Sequence, residues 1–133
     1  MISAISTSVH NTPMSRVRDE LTRLQKSPCT PTLIVGPSGA GKQHTAELLH
    51  QLSYQGVDNA PFVTVDCAAL PREFLDSELF GHERGAFPDA TAPRRGLVEL
   101  AHGGSLFLHE VTALPLAAQS MLLKFLDGMR LRR

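Results

Sequence analysis

The chain has no tryptophan, one tyrosine and two cysteines among 133 residues, and no excess of either charge, since 13 Lys and Arg face 13 Asp and Glu. Each scarcity excludes something. Balanced charge removes the positive surplus that holds a domain on nucleic acid by phosphate neutralisation, so direct DNA binding by this segment is not expected. Cys29 and Cys67 are far apart and match neither a CxxC nor a zinc-ligand spacing, which predicts buried thiols in a reducing, cytoplasmic compartment. No run of about 18 apolar residues occurs, and Met1 to Asn11 carry no basic stretch followed by an apolar one, so neither a membrane span nor an export signal is expected. What is present is 42% hydrophobic and 20% charged residues, the balance of a folded globular chain. Its length is enough for one core without disulfide or metal staples.

The first 11 residues, rich in Ser and Thr, read as a flexible arm. Thr12 then offers an N-cap with Pro13 at the first helical position. Met14, Val17, Leu21 and Leu24 recur at helical spacing, and Pro28 and Pro31 end that helix. Thr32-Leu33-Ile34-Val35 is a short continuous apolar run suited to a strand buried on both faces. Helical spacing resumes at Ala46, Leu48, Leu49 and Leu52, and Phe62-Val63-Thr64-Val65 reads as a second strand. Pro71 opens a helix expected to turn Phe74, Leu75 and Leu79 inward, and residues 81–96, bearing Gly and Pro, read as an exposed loop. Leu97, Val98, Leu100 and Ala101 suggest a short helix, Gly103-Gly104 punctuates the chain, and Leu106-Phe107-Leu108 is a third buried strand. Pro115 begins a last helix through Leu126, with Gly128 as its expected C-cap. This alternation, without internal repeats, predicts a single α/β domain over residues 12–133 with a mostly parallel sheet.

Between the first strand and the second helix stands Gly36-Pro37-Ser38-Gly39-Ala40-Gly41-Lys42-Gln43. The spacing Gly36-x4-Gly41-Lys42 suits a phosphate cradle: glycines let backbone N–H groups wrap the anion, the helix offers its positive end, and the lysine reaches the terminal phosphates. A structural glycine turn is the alternative, and the strand before and helix after favour the cradle. The hydroxyl that normally follows the lysine to ligate magnesium is here Gln43. Leu106-Phe107-Leu108 is followed by His109-Glu110, where an acidic pair would ordinarily hold the ion. The six histidines make no i, i+4 pair and no HExxH, so a zinc site is not expected. Arg94-Arg95 and Arg130, Arg132 and Arg133 read as solvated or subunit-facing, and no nucleophilic triad has a supporting context.

In order along the chain, GPSGAGKQ, FVTVDCAALP, ELFGHERGAFPDA, GGSLFLHEV and LPLAAQSMLLKFL resemble segments of one family. They are similar to the Walker A loop, second strand, sigma-contacting loop, Walker B segment and following helix of the AAA+ domain of bacterial enhancer-binding proteins, the sigma-54-dependent transcription activators. The resemblance covers about residues 12–133, and the ELFGHE-x-GAF string is far more specific than a phosphate loop alone. It implies a P-loop NTPase (AAA+) fold, three-layer α/β/α, that binds ATP or ADP with Mg2+ and assembles with like subunits. Hydrolysis then presses an exposed loop against sigma-54 RNA polymerase. By the same resemblance Gly36, Ser38, Gly39, Ala40, Gly41, Lys42 and Gln43 contact nucleotide and Glu110 polarises the attacking water. Gly85, Ala86, Phe87, Pro88, Asp89 and Ala90 form the sigma-contacting loop, with Phe87 as its aromatic anchor. Folding of Phe87 back onto its own domain is the alternative.

The departures from the family pattern point elsewhere. His109 replaces the Walker B aspartate, and an imidazole is a poor ligand for a hard cation. Loss of ordered metal that removes about 3–4 kcal/mol of transition-state stabilisation would slow hydrolysis by roughly 10²–10³. Asp66 stands at a switch position where the family has asparagine, and an ionised carboxylate cannot donate the amide hydrogen bond. Pro88 and Asp89 replace a threonine and a glycine of the loop. By resemblance the chain also stops before the sensor strand, arginine finger and helical lid. The absent strand leaves two unpaired edges beside the phosphate-loop strand and the Walker B strand. The expectation is an ATP-binding domain of transcription-activator type with impaired hydrolysis. The alternative is a non-catalytic module that co-assembles with and modulates an intact activator.

Overall fold

Alternation of side chains along two paired strands sets the layers of this molecule. The computed structural model describes residues 7–8, 14–26 and 30–131. In chain order these form β1 (Thr7–Ser8), α1 (Met14–Leu24), β2 (Ile34–Val35), α2 (Lys42–Ser53), β3 (Phe62–Asp66), α3 (Arg72–Phe80), β4 (Gly81–His82), β5 (Arg94–Arg95), α4 (Leu97–Leu100) and β6 (Ser105–His109). A 3-10 turn at Val111–Ala113 and α5 (Leu116–Leu131) follow. β3 and β6 pair in parallel from Phe62↔Ser105 to Asp66↔His109. Val65 and Leu106 thereby join Cys67, Leu75, Leu79, Ala101, Leu114 and Ala118 in a core against α3, α4 and α5. Phe62 and Phe107 turn instead toward α2, where His50 meets the Phe62 ring. On that side Val17, Leu21 and Leu49 make a second core that joins α1 to α2, with Ile34 of β2 packed against it. Helices therefore cover both faces of parallel strands, the three-layer α/β/α arrangement, and no described helix is long and apolar enough to cross a membrane.

Several expectations change. The first strand is limited to Ile34–Val35, the two residues that pair with Thr7–Ser8. Thr7–Ser8, inside the stretch expected as a flexible arm, pairs in parallel with Ile34–Val35, an open apolar edge. Phe74 is 53% exposed: Leu75 and Leu79, four residues apart, define the inward stripe of α3 and leave Phe74 beside it. Gly128 is not a C-cap, since α5 continues to Leu131 at the cost of about 1 kcal/mol relative to alanine. Residues 81–96 are not loop throughout, because β4 and β5 form an antiparallel ribbon at the base. The Thr12–Pro13 cap and Cys29 lie outside the described residues.

Among the described residues β2 pairs only with β1, and β6 only with β3. Between β2 and β6 lies a cleft of about 300 Å³, lined by Leu33, Ile34, Val35, Phe107, Leu108 and, from α5, Leu122 and Leu126. Leu33 and Val35 are 44% and 46% exposed although their run has the composition of a doubly buried strand.

Leu106 and Leu116 test the layer assignment. Leu106→Ala removes a buried side chain from the larger core and is expected to lower the unfolding free energy by about 2–5 kcal/mol in a urea titration. Leu116→Ala, at an exposed position of α5, is expected to change it by less than about 0.5 kcal/mol. Equal effects would contradict the packing described.

Candidate functional site

The end of β2 and the start of α2 make a turn whose backbone is open to solvent. The amide of Ala40 donates to the Pro37 carbonyl at 3.2 Å, and Gly41 adopts φ +86 and ψ 28 immediately before the helix. A side chain at Gly41 would meet no neighbouring atom within 4 Å, so the demand for glycine is conformational: the left-handed region costs other residues roughly 1–2 kcal/mol. No side chain caps α2, which leaves its first-turn N–H groups for a ligand. Lys42 folds back, its Nζ donating to the Gly36 carbonyl at 2.9 Å. The ammonium thus rests on an acceptor of the loop itself. Ser38, Gly39 and Ala40 are exposed, and the Gln43 amide donates to Glu47 Oε1 at 3.0 Å.

Gly36 and Lys42 share the cleft with His109 and Glu110 at the end of β6. The structure therefore brings the phosphate loop and the expected water-polarising position together. Glu110 sits at φ 53 and ψ 51, a left-handed conformation rare for a non-glycine residue, and its carbonyl accepts the Ala113 amide at 2.9 Å to start the 3-10 turn. Backbone strain falls on the position expected to polarise water.

His109 belongs to an aromatic row. Its ring meets Phe107 edge-on at 6.0 Å, Phe107 stacks with Phe62 at 6.5 Å, and Phe62 meets His50 at 5.0 Å, which in turn meets Tyr54 at 4.9 Å. His50 Nδ1 lies 2.9 Å from Ser105 Oγ, and the Tyr54 hydroxyl donates to the Gly104 carbonyl at 2.7 Å. These bonds fix the distal half of α2 to the start of β6, so the helix that begins at Lys42 and the strand that ends at His109 are held as a unit. Sequence reasoning missed His50, Tyr54 and Ser105. The legible signal was the i, i+4 spacing of His50 and Tyr54 on the helix that follows the phosphate loop. Burial lowers the His50 pKa below its usual value, against a smaller opposing effect of a backbone hydrogen bond at Ala60.

Asp66 is the register partner of His109 across the β3–β6 ladder. Its Oδ1 accepts the amides of Ala68 and Ala69 at 2.9 and 3.3 Å, so the carboxylate closes its own turn. Next to it Cys67 is buried, and that burial, with the Asp66 charge second, raises its pKa to about 11. Its thiol is inert at neutral pH.

Gly85, Ala86, Phe87, Pro88, Asp89 and Ala90 stand apart from this site, and none lines the cleft that holds Lys42. They project from the β4–β5 ribbon, which Arg94 ties to Glu78 by two hydrogen bonds of 2.6 and 3.1 Å. At its base a Cβ on Gly96 would lie 2.4 Å from the Leu79 carbonyl oxygen, so the strands meet too closely for any side chain.

The oxygen ligands that magnesium requires are not assembled here. The Gln43 amide nitrogen donates along the helix to Glu47 Oε1, His109 offers nitrogen only, and Asp66 Oδ1 is engaged in its turn. Among the described residues no three His, Cys, Asp or Glu side chains converge on a point where a metal could bind. With an imidazole where a second carboxylate would serve, Glu110 is the single carboxylate lining the cleft, a poor fit to a magnesium ion.

A parallel ladder between helical layers, with a glycine-rich turn leading from an apolar strand into a helix, defines a P-loop α/β fold. The Sigma-54 interaction domain matches residues 7–133, and the chain belongs to that family. It is 41% identical over 121 residues to the response regulator protein PilR of Pseudomonas aeruginosa, covering 90% of this chain and 26% of that protein. It is 47% identical over 114 residues to the transcriptional regulator NtrC of Azospirillum brasilense, covering 86% of this chain and 23% of that protein. The chain thus spans about a quarter of the length of these relatives. A crystal structure of NtrX from Brucella abortus superposes with a TM-score of 0.70 at 35% identity, covering 93% of this chain and 25% of that one. A structure of NtrX in complex with ATP gives 0.69 at 34% identity, over 92% of this chain and 24% of that one. NtrX has also been crystallised with ADP.

Two measurements test the site. Because the folded state holds His50 neutral, its contribution to stability is present above the unfolded-state pKa of about 6.5 and is lost as pH falls through the lower folded value. The melting temperature is expected to fall between neutral and mildly acidic pH, with a shallower fall in His50→Gln; equal slopes would remove His50 from the account. Glu110→Gly is expected to raise the unfolding free energy by about 1 kcal/mol by relieving the left-handed strain, and an unchanged or lower melting temperature would refute that strain.

Proposed function

We propose that the chain binds ATP or ADP through Gly36, Ser38, Gly39, Ala40, Gly41, Lys42 and Gln43, without need of magnesium, and that it hydrolyses the nucleotide slowly or not at all. The observation that carries this reading is the pairing of an intact backbone cradle, open at the start of α2, with a β6 end that offers imidazole where a carboxylate is needed. Phosphate recognition here rests on amides and one ammonium, whereas hydrolysis requires Glu110 to act beside an ordered cation. The relatives support a role in transcription regulation. On this reading the chain works in the cytoplasm as the nucleotide-binding part of a sigma-54-dependent activator and contacts sigma-54 RNA polymerase through residues 85–90.

The second reading is a non-catalytic subunit that joins a ring of like AAA+ domains and modulates its partners. The open edges of β2 and β6 favour it, because an assembly that covers them would stabilise the chain. Addition of the chain to an intact activator, with no change in that activator's ATPase rate, would sink this version alone.

The primary test is calorimetric titration of ATP and ADP, each with magnesium and with EDTA. Equal affinity in both is expected, and Lys42→Ala should weaken it at least about tenfold, or 1.4 kcal/mol. His109→Asp should make ATP affinity depend on magnesium. No heat with either nucleotide would overturn the proposal, and strong magnesium dependence in the unaltered chain would overturn the account of His109.

A further inference from the structure

The loop carried by β4 and β5 is folded as two consecutive turns. The Ala86 amide donates to the Glu83 carbonyl at 3.2 Å, the Ala90 amide to the Phe87 carbonyl at 2.9 Å, and the Gly85 amide to the Ala90 carbonyl at 2.9 Å. The second turn has Pro88 at its second position, where a fixed φ pre-forms the bend and restricts Phe87 to extended backbone. Ala90 is buried and pins the return strand, while Phe87 remains 39% exposed. The Phe87 ring is not free. It packs on the His82 imidazole with centroids 4.8 Å apart at 60°, and His82 Nδ1 is in turn 2.7 Å from Ser77 Oγ on α3.

We infer that His82 is a positioning residue that stows the Phe87 ring: Ser77 orients the imidazole, the Phe87–Ala90 turn holds the ring against it, and the ring becomes available to a protein partner only when this contact opens. The inference rests on the reading above that residues 85–90 contact a partner. Its physical basis is separate. An aromatic anchor that must enter a pocket on another protein is incompletely covered in the free chain, held by one ring contact and one hydroxyl–imidazole bond, on a ribbon made rigid by the Arg94–Glu78 pair. Such a small set of contacts can be exchanged for full burial in the partner. Pro88 fixes the bend that follows Phe87 and so narrows the backbone conformations open to residue 87.

The chain has no tryptophan, so Phe87→Trp places a single indole at this position. Its emission is expected to be partly shielded from acrylamide. Adding His82→Ala should raise the quenching constant about twofold, as when a ring 39% exposed becomes fully open, and shift the emission to the red. Ser77→Ala should move both readouts in the same direction by less, and His102→Ala, at an exposed histidine outside the loop, should move neither. Equal quenching with and without His82, in proteins whose circular dichroism shows them folded, would overturn the inference. Should His82→Ala fail to fold, Ser77→Ala decides, and unchanged quenching there overturns it. Binding to sigma-54 is measured separately in the otherwise unaltered chain. Phe87→Ala should abolish it and His82→Ala strengthen it, by the inverse of the fraction of molecules with the ring released. Binding unaffected by Phe87→Ala would sink the partner reading, while the fluorescence result would still decide whether the ring is stowed.

Discussion

The parallel pairing of β3 with β6 is the constraint on which the rest of this structure depends. Its register, Phe62↔Ser105 through Asp66↔His109, sends Val65 and Leu106 into the larger core and aligns Phe62 and Phe107 under α2. A slip of one residue would exchange those two faces. It would place aromatic rings among the leucines of α3 and α5 and take Ser105 away from His50. The same pairing delivers His109 and Glu110 to the cleft that contains Lys42, because β6 ends where the phosphate-loop helix begins. Position at the site is thus inherited from packing remote from it.

That dependence explains which parts were legible in the residues. The phosphate loop could be read because its mechanism is local: Gly41 needs a left-handed backbone, and Lys42 follows by chain connectivity. β3 and β6 were legible as short apolar runs between turn signals. Phe74 was misread because periodicity defines a stripe without saying which edge of it meets the core, and that edge is fixed by where α3 docks. Gly128 was misread because a glycine near the end of a pattern resembles a cap, whereas the following residues carry α5 onward. His50 and Tyr54 escaped notice because their partners, Ser105 and Gly104, are about fifty residues away. Only the fold reveals what each one touches. The stretch between His82 and Arg94 combined the two cases, since its turns follow from Gly85 and Pro88 but the seating of Phe87 on His82 depends on the ribbon that aligns them.

The cleft between β2 and β6 shows a different relation between composition and structure. Leu33 and Val35 belong to a run suited to burial on both faces, yet both are substantially exposed. Open strand edges beside apolar side chains are a liability in water, both for unpaired backbone groups and for association with other chains. The apolar composition of this run is therefore better explained by a state in which the cleft is covered than by the chain alone.

The substitutions at the end of the ladder fall unevenly on recognition and chemistry. The cradle is made of backbone amides, and exchanging side chains elsewhere cannot remove them while the glycines keep the turn open. The side chains expected to serve hydrolysis have contacts of their own here: His109 lies in an aromatic row and Asp66 Oδ1 closes its own turn. Glu110 places a carboxylate in the same cleft as Lys42, and it does so in a strained backbone conformation whose cost is borne by the folded state. The backbone of the glycine-rich turn and the side chains at the end of β6 are thus under separate constraints, and substitution can alter the second while leaving the first in place.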